Sequence, residues 1–98
     1  EDPTDCESLH NLAILYYNIG VFKIKKIDGD TEIDQLLQIQ EDALRLFSQA
    51  LPFAQNTFQE CPKNAAQYKA LMFIHRSLGN EEEFKRLKAE AQSLYPNE

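Results

Sequence analysis

Residues 64–98 read NAAQYKALMFIHRSLGNEEEFKRLKAEAQSLYPNE. Tyr68, Leu71, Met72, His75 and Leu78 recur three and four apart, which places them on one face of a helix over Ala65–Leu78. Phe84, Leu87, Ala91 and Leu94 repeat the pattern over Glu81–Leu94. Between the two, Gly79 can take the left-handed backbone that ends a helix without a Cβ penalty. Asn80 then stands where it can cap the next helix, with Glu83 three residues on to complete a capping box. Pro96 stops the second helix. The stretch is therefore expected to be an αα-hairpin with both ends specified.

The same grammar extends upstream. Thr4 with Glu7, Thr31 with Asp34 and Asn64 with Gln67 all have capping-box spacing, so four helices share one kind of start signal. Leu9, Leu12, Ala13, Tyr16 and Ile19 form the stripe of the first. Ile24 and Ile27 continue it, so this helix is expected to run to about Ile27 with Gly20 inside it, at a cost of ~1 kcal/mol relative to Ala. Asp28-Gly29-Asp30 is the turn. Ile33, Leu36, Leu37, Leu44, Phe47, Leu51, Ala54 and Phe58 then carry an apolar stripe to Cys61, with Pro62 as its stop. The period survives Pro52, which predicts a bend there and not an end. The expectation is an all-α domain over residues 1–98, made of two antiparallel hairpins, the first over 4–61 and the second over 64–95.

Composition sets the class. A chain of 98 residues with 43% hydrophobic and 27% charged content is an ordinary globular composition and long enough for one small core. A net charge of −6 disfavours a nucleic-acid partner, and no apolar run approaches the ~20 residues of a membrane span. No signal-peptide pattern is present, and the first residue is Glu1, so an excised or processed piece of a longer chain is expected. Cys6 and Cys61 are too few for a disulfide framework and lack metal-ligand spacing. Two readings of them stand. The favoured one is a pair of reduced thiols in a cytoplasmic or nuclear protein. The other is topological: if the first two helices are antiparallel, Cys6 and Cys61 become neighbours and a bridge can form.

Catalytic chemistry finds no foothold. Glu7-x-x-His10 has the spacing of a di-iron half-site, but His75 has Met72 three residues before it and the second half is missing. Asp28, Asp30, Glu32 and Asp34 alternate like a calcium loop without its sixth-position glycine. No cofactor or metal is expected, and no enzyme. Lys23, Lys25 and Lys26 sit among Phe22, Ile24 and Ile27 and read as a solubilised helix end, neutralised by the neighbouring acids.

The hairpin resembles the tetratricopeptide repeat (TPR) family, an αα unit of about 34 residues. Tyr68, Leu71, His75, Gly79, Ala91 and Pro96 fall on its signature positions, with Met72, His75 and Phe84 departing from the usual residues. Leu9, Leu12, Ala13, Tyr16 and Gly20, then Phe47, Ala50, Ala54 and Pro62, fall in the same register one repeat earlier. The first repeat thus resembles a TPR whose helices are lengthened at their shared turn, and the whole a fragment of an α-α superhelix. The resemblance implies a non-catalytic scaffold or adaptor binding a protein or peptide partner, with a regulatory domain of an enzyme or signalling protein as the alternative. It implies a partner-binding face of His10, Asn11, Ile14, Tyr17 and Asn18 from the first helix and Lys69, Phe73 and Arg76 from the third. His10 and Ile14 replace the Lys and Asn by which one subclass clamps a terminal carboxylate, so that subclass is not expected.

One consequence follows from length alone. At ~1.5 Å per residue the first two helices are about 35 and 45 Å long, roughly twice the second hairpin. The distal half of the first hairpin must then protrude with Ile24, Ile27, Ile33, Leu36, Leu37 and Ile39 in excess of what two helices can cover. Burial by a partner protein or by a second copy, as a homodimer, is expected there.

Overall fold

The computed structural model describes residues 5–96. It holds four helices: α1 Cys6–Lys25, α2 Ile33–Glu60, α3 Ala65–Ser77 and α4 Glu81–Leu94. No strand occurs among the described residues. α1 and α2 form the long hairpin and α3 and α4 the short one. α3 lies against α2 and touches α1 lightly, while α4 meets no helix but α3. The extents of 44 × 34 × 20 Å follow from the length of α2.

Where the helices begin differs in detail from expectation. Thr4 lies outside the described residues, and the α1 cap is Asp5, whose carboxylate accepts from the Glu7 N–H and the Ser8 hydroxyl. Thr31 does not cap α2. Its hydroxyl accepts from the Asp28 N–H at 3.0 Å and belongs to the preceding turn, where Asp28 also accepts from the Asp30 N–H. Glu32 stands at the cap position with no side-chain bond. Asn64 does cap α3, accepting from the Gln67 N–H at 2.9 Å. Asn80 does not cap α4: its amide turns back to His75 Nδ1 at 3.0 Å, and Glu83 is taken by Arg86 at 2.9 and 3.0 Å. Gly79 has φ +82°, and the Asn80 N–H bonds the His75 carbonyl, which closes α3 as the glycine predicts. α1 ends at Lys25, one half-turn short of Ile27.

The core forms where the two hairpins meet. Ala13, Ala50 and Ala54 let the helices approach, and Tyr68, Leu71, Ile74 and Leu87 fill the space. Tyr68 ties three elements together. Its ring meets the Phe58 edge at 4.9 Å, and its hydroxyl donates to Glu90 Oε1 at 2.5 Å. Burial first, and then that carboxylate, push its phenol up to about 12. Gly20 is buried, and a Cβ placed there would lie 2.6 Å from Phe47 Cε1. The Phe47 ring, itself tilted against Tyr17 at 5.5 Å, fills the space the glycine leaves.

The reduced-thiol reading is overturned. Cys6 and Cys61 are joined in a disulfide, with Cα atoms 6.0 Å apart across 55 residues of sequence. The antiparallel pairing of α1 and α2 sets the start of one beside the end of the other, inside the range a bridge can span. No free cysteine remains.

Candidate functional site

α2 carries one apolar stripe, Ile33, Leu37, Leu44, Phe47, Leu51, Ala54 and Phe58, at helical spacing. Its near half receives α3: Ala54 belongs to the core, and Leu51 and Phe58 pack against it. Beyond the end of α3 the same stripe has no cover. Leu44 is 47% exposed, Leu37 58% and Ile33 73%, rising with distance from α3. Ile24 of α1 flanks the stripe and is also exposed. A groove of about 250 Å³ opens where α3 stops, lined by Ile24, Gln40, Ala43, Leu44, Phe47 and Ser77. The result is an apolar trough between the distal halves of α1 and α2, blocked at one end by the last turn of α3.

The residues expected at the protruding end fall into two groups. Ile33, Leu37 and Ile24 are exposed along the trough, whereas Ile27, Leu36 and Ile39 are half buried.

The expected partner-binding face is divided among separate places. His10 joins Cys6, Glu7, Asn64, Ala66 and Gln67 around a cleft between the first turns of α1 and α3. Gln67 is buried there, and its Oε1 has no hydrogen-bond partner. Ile14 and Tyr17 are half buried, while Asn11 and Asn18 are exposed. Lys69 lines a different groove, between α3 and α4, with Met72, Lys88, Ala91 and Tyr95. Arg76 lies over the Phe84 ring at 5.4 Å, and Phe73 is exposed. By helical spacing, Ile24, Tyr17, Ile14 and His10 share one face of α1, open in the trough at Ile24 and bordered by α3 towards the base of the hairpin.

Gln40 and Ser77 carry no sequence signal for a site, and Leu44 reads from sequence only as part of the helix stripe; the point at which α3 ends makes all three part of an open groove. Among the described residues no three His, Cys, Asp or Glu side chains stand close enough to hold a metal. No described helix is long and apolar enough to cross a membrane.

His75 is the one buried histidine. Burial pushes its ring below the usual histidine range, opposed by the Glu83 carboxylate and aided by Arg86. The ring, held by Asn80, closes the α3 turn and faces no groove described above. No family description, curated protein or solved structure matches the chain. Its functional reading therefore rests on its own geometry.

Proposed function

We propose that this domain is a non-catalytic protein-interaction module of TPR-like architecture, which seats a helix or apolar peptide segment of a partner in the trough of its long hairpin. The observation that carries this reading is the α2 stripe, covered by α3 over its near half and increasingly exposed from Leu44 to Ile33. A helix lying in line with α3 would meet the same side-chain spacing that α3 itself meets. Contiguous apolar surface on one side of a small domain is the usual signature of a docking site. With a charge of −6 on the chain, a partner with basic flanks is favoured.

The disulfide bears on location. Bridges persist in oxidising compartments and are rare in the cytosol. The Cys6–Cys61 bond therefore favours a secreted, periplasmic or luminal setting over the cytoplasmic one expected from sequence.

The test uses exposed residues, so that folding and binding separate. Leu37→Glu and Leu44→Glu should change stability by no more than about 0.5 kcal/mol, as surface substitutions do. Each should abolish capture of a partner that the unmodified domain retains. A partner held equally well by both variants would refute the trough as its seat.

A further inference from the structure

A second bare surface lies on the other side of α1. Counted from Gly20 and Gly79, Leu12, Leu15 and Ile19 stand where Leu71, Ile74 and Leu78 stand on α3. On α3 these residues are covered, Leu71 and Ile74 fully and Leu78 in half, by packing on the first hairpin. On α1 all three are exposed, Leu15 at 52%, and Phe22 continues the row at 59%. Their 3-4-3 spacing is that of a coiled-coil seam.

The opposite end of the molecule is finished differently. Counted from Pro62 and Pro96, Leu51, Ala54 and Phe58 of α2, the residues that receive α3, correspond to Lys85, Lys88 and Gln92 of α4. All three are exposed. One end thus presents a polar closing face, as terminal units of stacked helical arrays do, and the other an apolar row.

We propose that a second copy of this chain covers the row, with α1 packed antiparallel against α1 about a two-fold axis. Leu15 of one copy then lies against Ile19 of the other, and Leu12 against Phe22. The orientation follows from charge. The first turn of α1 carries Asp5 and Glu7, and its last turn carries Lys23 and Lys25 with Lys26 just beyond. Among the described residues none of the three lysines has a carboxylate partner. A parallel pair sets like charges side by side; the antiparallel pair brings the acidic start of each α1 beside the basic end of the other, Asp5 and Lys26 both continuing the row by seven residues, and opposes the helix dipoles. The closed two-fold form follows from the polar α4 face, which offers a head-to-tail stack no apolar receiving surface. The row from Leu12 to Phe22 is only about 15 Å long, so the interface is small and the pairing weak, in the micromolar range.

Sedimentation equilibrium of the oxidised chain, from low to high micromolar concentration, tests this. A reversible dimer is expected. Leu15→Glu and Ile19→Glu should each raise its dissociation constant about tenfold or more, since a carboxylate is buried unpaired in the seam. Helical content should stay unchanged, and so should melting at concentrations below the dissociation constant, because both positions are exposed in the monomer. Leu37→Glu, in the trough, should leave the dimer intact. Reversing Lys23 and Lys26 to Glu should weaken it. A chain that stays monomeric throughout, or a dimer indifferent to Leu15→Glu, overturns the proposal. So does a dimer lost with Leu37→Glu, which would put the second copy in the trough. Failure of the charge reversal to weaken the pair overturns its antiparallel orientation.

Discussion

Gly20 shows how a single position can be misread from its sequence alone. The sequence treats it as a helix interior glycine tolerated at a small cost, so Ala looks like an improvement of about 1 kcal/mol. The structure places the Phe47 ring where the methyl would go, at 2.6 Å. Phe47 is itself buried and packed at a tilt against Tyr17, so it cannot yield cheaply. Overpacking of this kind costs about 1–3 kcal/mol. Gly20→Ala is therefore expected to be net destabilising or at best neutral in denaturant titration; a gain of a full kcal/mol would mean the ring moves freely. His75 carries the pH dependence at this scale. Its folded pKa is lowered by burial, so protonation favours the unfolded chain. Its contribution is complete above the unfolded value of 6.5 and is lost as pH falls below that towards the lowered folded value. Stability measured against pH should decline on the acid side of 6.5, and His75→Phe should remove that part of the decline. An unchanged profile in the variant would show that His75 is not the group responsible.

The helices were legible because their apolar spacing is long and regular. α4 runs over the residues that spacing gives, and α2 passes through Pro52 without a break. Pro52 is exposed and lacks an N–H, so the Ser48 carbonyl loses its partner one turn back. Pro52→Ala should be neutral or stabilising, by up to about 3 kcal/mol, with helicity retained. Strong destabilisation in the same melt would mean the proline shapes the hairpin itself. The caps were less legible, for a definite reason. Thr31 and Asn80 have cap-type side chains, but each also has a nearer partner, the Asp28 turn in one case and the His75 ring in the other. Spacing names the groups able to cap and is silent on competition between them. The disulfide was open in the sequence for the same kind of reason. Its geometry depends on α1 and α2 being antiparallel, whereas two cysteines in an unlabelled chain say little about redox setting. Closing a loop of 55 residues, it removes about 4 kcal/mol of unfolded-state entropy in the chain-entropy view.

For the whole molecule, the decisive quantity is the mismatch between a long hairpin and a short one. It was legible from helix lengths, and with it the exposure of Ile24, Ile33 and Leu37. Which side of the protruding half stays open was not, because that depends on where α3 lies across α2. The expected binding face dispersed for a related reason. Lys69 and Arg76 share register positions with His10 and Tyr17, but α3 has α4 beside it where α1 has α3, so equal positions meet unequal surroundings. The proposed function makes the uncovered stretch of the α2 stripe a seat for another protein. Site-specific photo-crosslinking in the cells that make the chain tests this most directly. A photoreactive side chain replacing Leu37 or Leu44 should form a defined adduct with one other protein. The same group replacing Gln49, exposed and more than about 100° around α2 from Leu37 and Leu44, should form none. Adducts of equal yield from Gln49, or none from Leu37 and Leu44, would contradict the account.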